Sequence, residues 1–244
     1  MTSALSVKNL TIGWDDAVLA RGVTFDVEEG EIFAILGSSG SGKSTLMRFL
    51  VGLEPAREGE IDVAGAGAPD LERGLPPFGV MFQHGALFGS MTTLENVALP
   101  LEEWTDIGPE ASTAIARAKL RLVGLENAGA KTPDELSGGM KKRAAIARAL
   151  ALDPPIVFLD EPSAGLDPVT AAGLDDLVKT LAEETRLTVV LVTHELESIF
   201  RIADRCLMLD KGARGVIAIG TPEELAKSDD ARVSDFFNRR PKER

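Results

Sequence analysis

The residues best suited to chemistry stand in one glycine-rich stretch near the N-terminus. This stretch follows an apolar run at residues 31–36 and precedes a helical pattern at residues 46–51, so a strand leads into a turn that opens a helix. Glycines let successive backbone N–H groups approach one anion, and the dipole of the following helix favours negative charge there. The pattern predicts a phosphate-binding loop made of Gly37, Ser38, Ser39, Gly40, Ser41, Gly42, Lys43, Ser44 and Thr45.

Two side chains of this loop have specific tasks in such a site. Lys43 would reach the β- and γ-phosphates of a nucleoside triphosphate as a point charge. The Ser44 hydroxyl would bind Mg²⁺, a hard cation that prefers oxygen ligands. The plainer interpretation is a chance turn of glycine and serine, which would bind nothing.

Two carboxylates follow a continuous apolar run at residues 156–159. A fully apolar strand needs cover on both faces, which predicts a parallel central sheet, and ligands bind at the carboxyl ends of such strands. There, Asp160 could hold Mg²⁺ through its water shell, and Glu161 could accept a proton from an attacking water. Alternatively, the two acids only cap the turn that follows.

A histidine follows a second apolar run, at residues 187–192. His194 is one of two histidines in the chain, and this position brings it to the same sheet edge as Lys43 and Asp160. A neutral imidazole there could hydrogen-bond a γ-phosphate or the attacking water. A lone histidine can also be a purely structural donor.

A second helix start resembles an anion cradle. Ser137 is placed to cap a helix predicted over residues 141–152, and Gly138 and Gly139 leave its first N–H groups bare. An ordinary serine-capped helix gives the same pattern.

One aromatic residue stands out because the chain has no tyrosine and only 5% aromatics. Trp14 follows the first predicted strand, where its ring could stack on an adenine. Covering the edge of the sheet is the equally simple alternative.

The composition limits the partners and the cellular location that are expected for this chain. Twenty-six basic against 38 acidic residues give a net charge of −12, so a nucleic-acid partner is not expected. The single cysteine, Cys206, lies in an apolar run and is expected in the core. No leader pattern or membrane-spanning run is found, so we expect a cytosolic protein whose membrane role depends on a partner.

The remaining pattern gives the organisation of the chain. Alternating residues at 5–14 and 23–27 predict half-buried antiparallel strands, and α/β alternation follows. Residues 85–152 interrupt this alternation with helical patterns, beginning with a capping box at 92–95. We therefore expect an α/β fold with an inserted helical subdomain.

With these elements in this order, the chain resembles the ATP-binding subunits of ABC transporters over about residues 5–225. Six segments carry the resemblance in the family's order: Walker A at 37–45, the Q-loop at Gln83, the signature at 136–140, Walker B at 156–161, the D-loop at 163–167 and the switch residue His194.

The resemblance implies a P-loop NTPase (RecA-like) core with an antiparallel β subdomain and an inserted α-helical subdomain. The nucleotide-binding domain would span 5–240, with core segments 5–84 and 153–227, a helical subdomain at 85–152 and a C-terminal tail at 228–244.

The resemblance also implies an ATPase that works as a head-to-tail homodimer. ATP held by residues 37–45 of one subunit would contact Ser137, Gly138 and Gly139 of the other, and Asp167 would communicate across the dimer. Gln83 would sense Mg²⁺ and the γ-phosphate. ATP binding would then shift the equilibrium towards the closed dimer.

A narrower resemblance is to the ATPases of MCE-type phospholipid and sterol transport systems. It is carried by residues 81–88, 139–145 and 230–236, with Met140 in place of the usual glutamine. It implies an integral-membrane permease of the MlaE type, an MCE-domain protein and a small STAS-type subunit as partners. The chain would act at the cytoplasmic face of the inner (plasma) membrane.

Four apolar residues beside Gln83 are candidates for a groove that takes a helix of the permease; core packing is the alternative. They are Leu87, Phe88, Met91 and Leu94. Transport of a small solute or of lipoprotein, or a non-transporting regulator of the cell-division type, would use the same ATP site, so the sequence leaves these functions open.

Overall fold

The structure is a computed structural model that describes residues 3–14, 17–72 and 74–238. The strands in this part of the chain are β1 (Ser3–Trp14), β2 (Ala17–Glu28), β3 (Ile32–Gly37), β4 (Glu60–Val63), β5 (Phe78–Met81), β6 (Ile156–Asp160), β7 (Thr188–Val192), β8 (Arg205–Asp210) and β9 (Gly215–Gly220). The helices there are α1 (Lys43–Leu50), α2 (Thr93–Trp104), α3 (Pro109–Leu122), α4 (Gly138–Ala149), α5 (Pro168–Thr185), α6 (Leu196–Ile202), α7 (Pro222–Ala226) and α8 (Ala231–Phe237), with a 3-10 turn at Pro133–Glu135.

The central sheet has six strands in the order β5-β6-β7-β3-β8-β9. Its first five strands run parallel, and β9 pairs antiparallel with β8. Every residue of β3 and β7 is buried, because both faces of the sheet are covered. The parallel sheet predicted from apolar runs is confirmed, and the carboxyl ends of its strands form one edge.

Alternation along β3 divides the interior into two cores. Phe33 and Ile35 point towards α1 and the small antiparallel sheet β2-β1-β4. Ala34 and Leu36 point to the opposite face, into a core shared with the later helices. The α/β fold class and the antiparallel pairing of the first two strands are therefore confirmed, although β2 is longer than the predicted run at 23–27.

The predicted helical insertion contains α2, α3 and α4. Helix α2 begins at the expected capping box, in which Thr92 accepts from the backbone of Glu95 and Glu95 accepts from that of Thr92. Helix α4 packs against α2, α3 and the strand β5. Its first residue is Gly138, three residues earlier than predicted, because the cap of Ser137 starts the helix directly.

The segment after β9 continues the core. Val233 and Phe237 of α8 are buried, so this helix packs into the main core. Cys206 is buried as expected, and burial raises the pKa of its thiol to about 12. The predicted domain boundaries remain a prediction, and residues 239–244 of the expected tail lie outside the described residues.

Candidate nucleotide site

The glycine-rich loop has a backbone that only glycine allows at two of its corners. Gly37 has φ 147°, and a Cβ there would lie 2.4 Å from the carbonyl oxygen of Leu209. Gly42 has φ 100° and starts α1 without a side-chain cap. A Cβ on Gly42 would lie 3.2 Å from Ile12 of β1, so the loop rests against the β1–β2 hairpin. The first turn of α1 is thereby presented as an anion cradle.

Lys43 folds back over this loop. Its ammonium donates to the carbonyl oxygens of Gly37, at 2.9 Å, and Ser38, at 3.3 Å. Burial lowers the pKa of Lys43, while the nearby carboxylates of Glu161 and Asp160 act in the opposite direction. A phosphate in the loop would give this ammonium a charged acceptor in place of two neutral ones.

Asp160 ends β6 and faces the start of α1. Burial and the neighbouring carboxylate of Glu161 raise the pKa of Asp160, against the opposing effects of Lys43, Lys142 and a hydrogen bond from Ser44. The structure therefore brings Ser44 and Asp160, two of the predicted magnesium ligands, together.

Glu161 is the residue after β6, and its backbone is unusual. It has φ 47°, a left-handed value that costs energy for a residue with a side chain. Its N–H donates to Val192 of β7 at 2.8 Å, and its Oε1 lies 2.8 Å from Nδ1 of His194. The two sheet-edge residues predicted to be catalytic are thus in direct contact.

Three buried side-chain oxygens of the described residues have no hydrogen-bond partner, and all three lie in the predicted site. They are Ser41 Oγ, Asp160 Oδ1 and Glu161 Oε2. Each such atom costs about 1–3 kcal/mol unless a ligand, ion or water satisfies it. Hard oxygen donors beside a phosphate loop fit Mg²⁺, a triphosphate and an attacking water.

Trp14 lies at the end of β1 and is 44% exposed. The pKa of Glu54, just beyond α1, is lowered by hydrogen bonds from Arg48 and then from Trp14. This contact joins the indole to the segment beyond the C-terminal end of α1, whereas Ile12 of the same strand lies against Gly42 at the start of α1. Stacking of its face on adenine stays a prediction.

The second cradle is built differently. Ser137 Oγ accepts from the N–H of Met140 at 3.3 Å, and Ser137 and Gly138 are exposed. Gly139 is buried, and a Cβ there would lie 2.5 Å from the methyl carbon of Thr170 in α5. The signature glycines therefore allow α4 to approach the segment after the D-loop.

Asp167 caps a helix in its own chain. Its Oδ1 accepts from the N–H groups of Val169, at 3.1 Å, and Thr170, at 3.0 Å. Hydrogen bonds with Thr170 are the largest cause of its lowered pKa. Its predicted contact across a dimer stays a prediction.

Gln83 is exposed just beyond β5, and its backbone carbonyl accepts a hydrogen bond from Lys142. Lys142 also donates to the carbonyl of Glu161 at 3.0 Å. Sequence reasoning missed this lysine. The available signal was its position on α4, three residues after Gly139 and three before Ala145, on the face that the apolar residues share.

The chain matches the protein-family model described as ABC transporter over residues 20–164. It is 40% identical to the intermembrane phospholipid transport system ATP-binding protein MlaF of Haemophilus influenzae, over 96% of this chain and 89% of the relative. It is 39% identical to the "Probable ribonucleotide transport ATP-binding protein mkl" of Mycobacterium leprae, over 98% and 70%. It is also 40% identical to the methionine import ATP-binding protein MetN of Latilactobacillus sakei, over 88% and 63%.

Solved structures agree with these relatives. A dimeric structure of the ATP-binding cassette MJ0796, in a post-hydrolysis state bound to ADP and Pi, aligns with TM-score 0.77 and 33% identity over 89% of this chain and 98% of that one. CbiO1 from Clostridium perfringens aligns with TM-score 0.82 and 26% identity over 95% and 93%.

A phosphate loop facing two strand-end carboxylates on a parallel sheet defines a nucleotide-hydrolysing P-loop protein. The chain belongs to the ABC transporter family, as an ATP-hydrolysing subunit. No helix within residues 3–14, 17–72 and 74–238 is long and apolar enough to cross a membrane.

Proposed function

We propose that this ATPase powers the movement of lipid, of the phospholipid class, between membranes through a separate permease. The support is the similarity to MlaF over nearly the whole chain, together with the segments at 81–88 and 139–145 that resemble MCE-type systems. The observation that carries the hydrolytic part is the group of three unpartnered buried oxygens around the phosphate loop.

The phosphate loop grips the triphosphate. Backbone N–H groups of residues 37–45 and the start of α1 bind the β- and γ-phosphates, and Lys43 turns from its carbonyl acceptors to the charged oxygens. Trp14 stacks on the adenine. Binding therefore depends on backbone shape at one end of the nucleotide and on an aromatic face at the other.

Ser44, Asp160 and Gln83 would hold Mg²⁺, which supplies charge neutralisation for the phosphates when bound. Two observations support this assignment: the side chain of Ser44 hydrogen-bonds Asp160, and the buried Oδ1 of Asp160 has no hydrogen-bond partner. Gln83 is exposed just beyond β5 and would approach the site from there.

Glu161 takes the proton of the attacking water. Its Oε2 is buried and unpartnered, which leaves it able to accept, while Oε1 is held by His194. That contact fixes the carboxylate, while Nε2 of the imidazole lies 3.5 Å from Oε1 of Glu195. His194 therefore orients the base, and its Nε2 would donate to the γ-phosphate in place of the Glu195 carboxylate.

Two chains act head to tail. Ser137, Gly138 and Gly139 of one subunit complete the site of the other, and the exposure of Ser137 and Gly138 supports this arrangement. Asp167, the cap of α5, would lie near the same interface. The dimeric structure of the related cassette MJ0796 is consistent with such a pair.

An apolar groove of about 250 Å³ is the proposed seat for a cytoplasmic helix of an MlaE-type permease. It opens beside Phe82, next to Gln83, between the core and the helical segment. Its walls include Leu53, Leu71, Phe82, Pro100, Trp104 and Ala149.

These walls differ from the four residues predicted for the groove. Leu87 and Leu94 pack against the main core, as the alternative interpretation expected, whereas Phe88 is 53% exposed. The groove itself is assembled from segments far apart in the sequence. An MCE-domain protein and a small STAS-type subunit would complete the complex, and this chain would lie at the cytoplasmic face of the inner membrane.

The test is transport by the purified complex of this chain with its co-purified membrane partner. Reconstituted in vesicles, the complex should move a fluorescent phospholipid to acceptor vesicles only with ATP, and Glu161→Gln should stop this. ATP hydrolysis stimulated by methionine or a ribonucleotide, with no phospholipid movement, would overturn the proposed cargo.

A further inference from the structure

Lys142 is a buried lysine in the first turns of α4. Only 8% of it is exposed, although lysine is rarely buried unless its charge is satisfied. Its ammonium donates to two backbone carbonyls from separate parts of the chain, those of Gln83 and Glu161. One side chain therefore joins three elements: α4, the segment after β5 and the end of β6.

A second cation of α4 also holds the segment after β5. Arg148 donates to the carbonyl oxygens of Gly85 and Ala86, at 2.7 Å each. The segment 83–86 is thus fastened to α4 at both ends. Lys142 differs from Arg148 because it also reaches the residue proposed as the base.

The Glu161 backbone has reason to need such support. Its left-handed φ of 47° is costly, and the surroundings must hold it. Three hydrogen bonds do so: its N–H to Val192, and its carbonyl from Lys142 and from the N–H of Ala164 at 3.2 Å. Removing the ammonium would leave the carbonyl with a single donor and free the peptide to rotate.

The charge of Lys142 is also suited to this place. Burial lowers its pKa, and the carboxylates of Asp160 and Glu161 counteract that effect. The ammonium therefore adds positive potential beside two acids that repel one another. Lys43 also lowers the pKa of Asp160 through its positive charge.

We propose that Lys142 is a positioning residue that sets Glu161 and Gln83 relative to the signature helix α4, so that a movement of this helix is transmitted to the base. The inference rests on the proposed role of Glu161. The cap of α4 is Ser137, whose predicted contact is the ATP of the partner subunit. Closure of the dimer and seating of the permease beside Phe82 would both reach Glu161 through this lysine.

The test compares Lys142→Met, Lys142→Arg and Lys142→Gln in the full chain. Lys119→Met is the matched control, because Lys119 is another buried lysine of the helical segment, whose ammonium pairs with Asp153 instead. Measurements are kcat and KM for ATP, binding of a fluorescent ATP analogue without Mg²⁺, and thermal unfolding.

We expect Lys142→Met to lower kcat by about 10–100-fold, since misplacement of a catalytic group by 1 Å can cost that much. KM and analogue binding should stay within about threefold, because the phosphate loop is untouched. Lys142→Arg should recover most of kcat, and Lys119→Met should keep it within about threefold. If Lys142→Met does not fold, Lys142→Gln takes its place in each comparison.

Two results would overturn the inference. One is a kcat of Lys142→Met that matches that of Lys119→Met. The other is a loss shared equally by kcat and analogue binding, without recovery in Lys142→Arg, as general damage to packing would give. Glu161→Gln separates the two levels of the argument: wild-type turnover in that variant would refute the proposed base, whereas an inactive Glu161→Gln beside an active Lys142→Met would refute only the positioning role.

Discussion

Two helix starts in this molecule are rich in glycine, and they are built in opposite ways. The N-cap of α1 is Gly42, which has no side chain to cap the helix, whereas the N-cap of α4 is Ser137, whose hydroxyl accepts a hydrogen bond from the first turn of that helix. All unpartnered buried side-chain oxygens of the described residues lie around α1. The first start needs a ligand to be complete, and the second is satisfied by its own chain.

This difference indicates that the two helix starts affect different steps, the binding of nucleotide and its hydrolysis. The core start offers an anion cradle beside two acids that repel one another, and a bound cation would relieve that repulsion. The start of α4 is a stable, exposed surface whose helix is fastened to the core through Lys142 and Arg148. We infer that the first determines affinity and the second determines when the bound nucleotide is hydrolysed.

The largest contrast should appear when one glycine from each start is replaced. Gly37→Ala places a Cβ 2.4 Å from a backbone oxygen at φ 147°, and should cost about 2–4 kcal/mol of unfolding free energy and abolish ATP binding. Gly138→Ala meets only Leu166, at 3.4 Å, and should stay within about 0.5 kcal/mol with ATP binding intact.

Denaturant unfolding and nucleotide titration of both variants check this contrast. Equal losses of stability at the two positions would show that the second start is as strained as the first.

A smaller effect is expected at the adenine end of the core site. Trp14→Ala should weaken ATP binding by about 1–3 kcal/mol, since it removes the stacking face, whereas Trp14→Phe keeps a face and should lose less than half of that. Isothermal titration with ATP and with inorganic triphosphate separates the effects. If Trp14→Ala weakens both ligands alike, Trp14 only supports the edge of the sheet.

The smallest effect tests the repulsion between the acids. Because the pKa of Asp160 is raised above its ordinary 3.8, the folded state binds more protons than the unfolded one in the window above that value, and stability falls as pH rises through it. Asp160→Asn removes this cost. The nucleotide-free variant should melt about 1–4 °C higher at pH 7, and hydrolysis should be lost.

The gain in melting temperature should shrink as the pH falls through and below 3.8, where the wild-type carboxyl becomes protonated in both states. A variant that melts lower than wild type at pH 7 would contradict the argument from burial and repulsion.

The sequence predicts the parts of the molecule whose signal is local. Apolar runs give β6 and β7, the glycine spacing gives the loop, and the capping box gives the start of α2. Strand ends then bring Asp160 and His194 to one edge, as the rule for parallel sheets requires.

What the sequence does not predict depends on contacts between distant segments. A lysine in a helix is normally solvated, so the place of Lys142 on the apolar face of α4 indicates burial but does not identify its acceptors, the carbonyls of Gln83 and Glu161. The groove is formed by residues separated by up to about a hundred positions, which explains why the local cluster beside Gln83 was a poor guide to its walls. The role of Asp167 as a cap also depends on the exact start of α5.

The central claim is that the two helix starts act on one ATP from different subunits. The most direct measurement is the mass of Glu161→Gln by sedimentation with and without ATP and Mg²⁺, beside the double variant Glu161→Gln with Ser137→Arg. ATP should convert the single variant into a dimer, while the double variant should bind ATP as a monomer, because the bulky cation blocks only the second start. A double variant that still dimerises with ATP, or a single variant that binds ATP and stays monomeric, would contradict the account.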